Sequence, residues 1–165
     1  MSGYVKETLK RLQHVPEVYP QYSPHKHIPI VYGKKNTQQY ATSPDESSLL
    51  NIIDNTYIQS VVWSFLYYAR AIDGTILPGL NDTNNQQAQP TEVTRTRAQK
   101  LVDYTDTYLD AFIRYHASDM QLQMDSDAAY LVLPKAKSRI VGYYYFGKLD
   151  GQFNEPVRIE CWTIK

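Results

Sequence analysis

The chain has 165 residues, 42% hydrophobic and 21% charged, close to the globular average, which argues against wholesale disorder and for a buried core. Lysine plus arginine is 17, aspartate plus glutamate is 17, and the net charge is zero; the basic excess from which a self-sufficient nucleic-acid binder draws its affinity is missing. The single cysteine, Cys161, excludes an internal disulfide, no apolar signal core follows Met1, and the longest apolar cluster, residues 61–71, contains Ser64 and Arg70, so the expectation is an intracellular, cytoplasmic protein with no membrane span.

Residues 3–13 have helical spacing, with Val5, Leu9 and Leu12 on one face and Lys6, Lys10 and Arg11 away from it. Pro16 ends that helix. Residues 15–50 are rich in proline, serine, tyrosine and histidine. Pro20, Pro24, Pro29 and Pro44 interrupt regular structure, so an extended arm is expected. Residues 56–72 give the strongest helix: Ile58, Val61, Val62, Phe65, Leu66, Ala69 and Ile72 repeat at helical spacing. Trp63 and the Tyr67–Tyr68 pair widen its apolar surface, which predicts a helix buried over most of its circumference. Asp54 or Asn55 would cap its start and Asp73-Gly74 would end it. Residues 75–87 fit no element well, since Pro78 and Gly79 suit a helix poorly and a polar run from Asn81 to Gln87 follows. Thr91 opens another helix to about Tyr108; Thr91 with Thr94 lacks the usual capping-box pattern, although Glu92 suits the first turn.

The period then changes from helical to alternating. Phe112-Ile113-Arg114-Tyr115 reads as a strand. Gln121 to Asp127 alternates, with Leu122 and Met124 on one face and Gln121, Gln123, Asp125 and Asp127 on the other. Residues 139–147 form a strong strand. Residues 157–164 form another, with Val157, Ile159 and Cys161 opposite Arg158, Glu160 and Trp162. Leu149-Asp150-Gly151-Gln152 supplies the turn between them. The fold class expected is α+β: helices with an irregular arm over residues 1–110, then a small antiparallel sheet of three or four strands over residues 111–165.

Read alone, few side chains announce chemistry. His14, His25, His27 and His116 come without a cysteine pair, so they read as surface histidines and not zinc ligands. Cys161 falls on the buried side of its strand, which suits packing better than nucleophilic attack. Tyr143, Tyr144 and Tyr145 could stack on bases, but a sheet core with one exposed ring is the plainer reading. Lys135, Lys137, Arg139 and Lys148 form the only dense basic group; it could follow a phosphate backbone or simply be a solvated hairpin. Asp127 in isolation reads as a strand-end turn former.

Three stretches taken together resemble the copia-type retrotransposon polyprotein, from the end of its reverse transcriptase into its ribonuclease H domain. The first is the run from Tyr57-Ile58-Gln59 through Tyr67-Tyr68-Ala69-Arg70-Ala71-Ile72-Asp73. The second is Gln86-Gln87-Ala88 with Pro90-Thr91, the helix to Tyr108, and Ile113-Arg114-Tyr115. The third is Asp125-Ser126-Asp127-Ala128-Ala129-Tyr130, Lys135-Ala136-Lys137-Ser138-Arg139 and Gly142-Tyr143-Tyr144-Tyr145-Phe146-Gly147. Gly3-Tyr4-Val5 through His14, with Pro20-Gln21-Tyr22-Ser23-Pro24-His25, is similar as well. The resemblance implies that residues 1–110 correspond to the thumb or connection segment of the polymerase and residues 111–165 to a partial ribonuclease-H-like sheet.

The same resemblance implies magnesium as cofactor, an RNA–DNA hybrid as partner, and Asp127 as the first catalytic aspartate, with Asp125 as a weaker second ligand. It places the family's other carboxylates on elements after Lys165 and the paired polymerase aspartates before Met1. The expectation is therefore a retrotransposon remnant without independent catalysis. The alternatives are a magnesium-dependent hybrid nuclease within a longer chain and a non-enzymatic binding module for nucleic acid or protein. A truncated sheet would expose one face and an edge. Self-association, or dependence on the missing polyprotein segments, is the expected result. A calorimetric scan that gave a sharp monomeric transition at high temperature would overturn that expectation.

Overall fold

A computed structural model describes residues 3–26, 45–133, 137–148 and 154–164. They form an α+β protein with four α-helices and a three-stranded antiparallel sheet. No helix among them is long and apolar enough to cross a membrane. The described chain divides into two compact units, one of residues 3–26 and 45–112, the other of residues 113–164.

The helical unit is organised by its longest helix, α2 (Ile52–Ala71). Ile58, Val61, Val62, Phe65 and Ala69 recur every three or four residues and are buried, which is the spacing that gathers side chains on one helical face. Trp63 and Tyr67, four residues apart, lie on the outer side, 70% and 63% exposed. The apolar surface is thus a stripe and not the near-complete cylinder that the sequence suggested. The helix also starts a turn earlier than expected. Asn51, not Asp54 or Asn55, is its cap: the Oδ1 of Asn51 accepts hydrogen bonds from the amides of Ile53 and Asp54, both 2.9 Å. Ile52 and Ile53 are exposed, so this first turn carries no periodic apolar signal and is held by its cap instead.

Residues 74–84, which fit no element by sequence, are helical. The Asp73 carboxylate accepts from the Thr75 amide at 3.1 Å and starts a 3-10 turn (Gly74–Ile76) that runs into α3 (Leu77–Asn84). Pro78 sits in the first turn of α3, where no intrahelical amide bond is lost. Gly79 is where α3 comes closest to its neighbours: an added Cβ would stand 3.2 Å from Leu101 Cδ1 and 3.2 Å from the Pro24 carbonyl oxygen. The two residues that weaken the sequence pattern are therefore the two that suit this helix's position.

The helix α4 (Glu92–Thr107) has a capping box after all. Thr91 Oγ1 accepts from the Thr94 amide at 3.3 Å, and Thr94 Oγ1 accepts from the Thr91 amide at 3.2 Å. A threonine hydroxyl here does what glutamate or glutamine usually does. The short α1 (Tyr4–Arg11) buries Val5, Thr8 and Leu9. Residues 12–26 and 45–51 contain no helix or extended ladder, as expected of an arm; His27, Pro29 and Pro44 lie outside the described residues.

In the second unit, β1 (Gln121–Leu133), β2 (Lys137–Gly147) and β3 (Pro156–Ile164) form an antiparallel meander in that order. The turn expected at Leu149–Gln152 lies outside the described residues. Phe112–Tyr115 is not a strand. The Ile113–His116 stretch is tied down by side chains: Asn154 Oδ1 accepts from the His116 amide at 2.9 Å, and Asn154 Nδ2 donates to the carbonyls of His116 at 2.8 Å and Phe146 at 2.9 Å. Asn154 thus takes up both backbone groups of His116 in place of a ladder, and the alternation of bulky residues before it misleads.

Asn51→Ala should lower unfolding stability by about 1 kcal/mol through loss of the cap, and Phe65→Ala by about 3–5 kcal/mol through the cavity it leaves. Urea denaturation followed by far-ultraviolet circular dichroism would check both.

Candidate functional site

Strand pairing sets the geometry of the sheet. Asp127 is opposite Val141, and Val141 is opposite Cys161. Asp125 is opposite Tyr143, and Tyr143 is opposite Ile159. Directly paired residues share a face. One face therefore carries Gln123, Asp125 and Asp127 beside Tyr145, Tyr143, Val141 and Arg139. Asp127 lies at the middle of the thirteen-residue β1. It is not a strand-end turn former, and both aspartates are exposed. Arg139 stands opposite Ala129, one pair along from Asp127 on the same face.

Tyrosines of the same face flank the aspartates. Tyr145 is buried and its hydroxyl donates to Gln123 Oε1 at 3.0 Å, while Gln123 Nε2 donates to the Lys148 carbonyl at 2.6 Å. Tyr143 packs against it, ring centres 5.6 Å apart, and donates to the Asn154 carbonyl at 3.1 Å. Burial first, then the nearby Glu155, Tyr145 and Asp125, hold the Tyr143 phenol above the ordinary tyrosine range. Tyr144 is half-buried on the other face, so the cluster is sheet core without the exposed ring that was expected.

Of the basic group, Lys137 and Arg139 are half-buried at the start of β2, and Lys135 lies outside the described residues. Cys161 is half-buried. Asp125 and Asp127 offer hard oxygen donors of the kind magnesium prefers. Among the described residues, no three or more histidine, cysteine, aspartate or glutamate side chains come together to hold a metal.

Compared with protein-family models, curated proteins and solved structures, the chain matches none. The arrangement of its own side chains is what bears on function.

The opposite face of the sheet is exposed and mixed, with the Arg158–Glu160 ion pair set among apolar side chains. Leu122, Met124 and Trp162 are 64%, 57% and 52% exposed, with Ile140 and Ile164 beside them. The helical unit holds a group that sequence reading missed. His14 is not a surface histidine: its side chain is 2% exposed, and its Nε2 lies 3.7 Å from both Asp103 Oδ1 and Asp106 Oδ2. Gln99 Nε2 donates to Asp103 Oδ1 at 2.9 Å. The only sequence trace of this cluster is the spacing of Gln99, Asp103 and Asp106 at i, i+4 and i+7 on one helical face. His25 is half-buried and His116 exposed.

Burial, partly offset by the Gln99 hydrogen bond and His14, holds the Asp103 carboxyl above the ordinary aspartate range. The folded form thus binds this proton more readily than the unfolded form. The stability so gained is complete below the ordinary aspartate range and is lost as pH rises through the elevated value. Asp103→Asn keeps an acceptor for Gln99 and removes the buried charge. Its melting temperature at pH 7.5 should rise by about 1–3 °C over the wild type, measured by differential scanning calorimetry.

Proposed function

We propose that this chain is a segment of a retroelement polyprotein, with residues 113–164 as the opening sheet of a ribonuclease-H-like domain and no catalysis of its own. The observation that carries the reading is the position of Asp127. It sits mid-way along the first strand of a three-stranded antiparallel meander, exposed on an open face. The copia-type resemblance assigns the first metal-binding aspartate to the first strand, which carries Asp127, although it has that strand end at Ser126-Asp127-Ala128 whereas β1 runs on to Leu133. The resemblance's first stretch, Tyr57–Asp73, coincides with α2 almost throughout, which supports reading the helical unit as the thumb or connection segment that follows the polymerase palm.

Magnesium, when bound, would activate a water and steady the leaving oxygen. Asp127 would hold it and Asp125 would assist. Two-metal hydrolysis draws carboxylates from several elements, whereas both of these come from one strand, so partner segments are needed to complete the set. Lys137 and Arg139 would neutralise phosphates of an RNA–DNA hybrid. A second reading, a non-enzymatic module that binds protein or itself, draws on the open face of Leu122, Met124 and Trp162.

The test is incubation with a labelled RNA–DNA hybrid and magnesium. The expected outcome is weak, salt-sensitive binding without cleavage. Lys137→Ala should reduce the slope of log affinity against log salt by about 0.9 if its phosphate contact is lost. Cleavage that disappears in Asp127→Asn would overturn the non-catalytic reading in favour of a working nuclease. Binding that is absent even at low salt would sink the nucleic-acid role and leave the protein-binding module.

A further inference from the structure

His14 follows α1 directly, its amide donating to the Leu9 carbonyl at 3.0 Å, and it opens the irregular segment of residues 12–26. The ring is almost wholly removed from water, yet Nε2 has no hydrogen-bond partner. What faces it is negative charge: Asp103 and Asp106, each 3.7 Å away. Nδ1 lies 3.5 Å from Gln99 Nε2.

The surrounding charges make the ring's ionisation consequential. From α4 come Asp103, Asp106 and, further off, Arg95; from its own segment comes Glu17, close enough to act on Asp103; from α2 come Asp54 and Tyr57 across a shared cavity. The nearby cations have other partners: Arg95 pairs with Asp54 at 3.6 Å, Arg11 donates to Ser64 Oγ at 2.7 Å, and Lys10 pairs with Glu7 at 2.9 Å. With a neutral imidazole, two half-buried carboxylates stand side by side and, among the described residues, only the Gln99 amide donates to one of them. With an imidazolium, one cation bridges both. Imidazole is the side chain whose ordinary ionisation falls just below neutral pH.

Residues 12–18 also wall a cavity of about 550 Å³, whose other side is formed by Ile53, Asp54 and Tyr57 of α2 and by Arg95 and Gln99 of α4. His14 is the residue of that wall that reaches the acidic pair of α4. We propose that His14 is a pH-operated latch: its protonation ties residues 12–18 to α4 through Asp103 and Asp106, and loss of the proton loosens the segment and with it the wall of the cavity. The latch is independent of any role of the sheet.

Amide hydrogen exchange at pH 7.5 and 5.5, corrected for intrinsic rates, tests this on the full chain. In the wild type, protection of residues 12–18 should rise about tenfold on acidification. His14→Gln should abolish the rise, and so should the Asp103→Asn/Asp106→Asn double variant, which leaves the imidazole in place. Protection of α2 should persist in all three and reports that each is folded. If His14→Gln does not fold, the double variant carries the comparison alone. A wild-type segment with the same protection at both pH values, or a folded variant that retains the rise, would overturn the latch.

Discussion

Ile58, Val61, Val62, Phe65 and Ala69 offer the one long strip of α2 from which water is excluded, and the helical unit is built against it. Its partners could not stand alone. The helices α1 and α3 have eight residues each, well below the length at which a helix holds itself in water. Val5 and Leu9 of α1, Ile76 of the 3-10 turn, Leu77 and Leu80 of α3, and Ala98, Leu101 and Val102 of α4 complete the buried set with Tyr68 of α2. Each short helix gains apolar burial only by docking, and the close approach at Gly79 lets α3 do so. Loss of the strip would dissolve the other three helices together.

The sheet unit rests on a different economy of contacts. Its buried side chains are few, chiefly Tyr145 and Asn154. Hydrogen bonds from tyrosine hydroxyls and from the Asn154 amide stand in for a deep core. Asn154 binds the backbone before β1 to the end of β2, and Tyr143 returns to the Asn154 carbonyl. This polar fastening positions Asp125 and Asp127 on one side and leaves Leu122, Met124 and Trp162 uncovered on the other.

Much of this was legible in the sequence, and the exceptions share physical causes. The stripe of α2, the amphipathic α1, and strands at residues 121–127, 139–147 and 157–164 all follow from apolar periodicity, because burial on one face leaves that trace. The first turn of α2, the helix α3 and the capping box of Thr91 and Thr94 depend on individual hydrogen bonds or on one close approach, which leave no period. Phe112–Tyr115 alternates as a strand would but is not paired as one, and the residue after it, His116, is held by a single asparagine. The placement of Asp125 and Asp127 on one face followed from simple alternation. His14 could not be read in advance, since its carboxylate partners lie 89 and 92 residues along the chain and only the packing of the helices joins them.

The strand that carries the two aspartates is also an edge of the sheet, thirteen residues long, with Asp125 and Asp127 as its only charges. Among the described residues no strand pairs with this edge, and an edge of this length that contains the exposed Leu122, Met124 and Tyr130 is a template onto which further strands can add. In a stack of identical strands each carboxylate would meet its own copy about 4.8 Å away, and two such columns of like charge oppose growth. Charge on an exposed strand is a common means of discouraging such addition. Replacing both with neutral amides would remove that opposition.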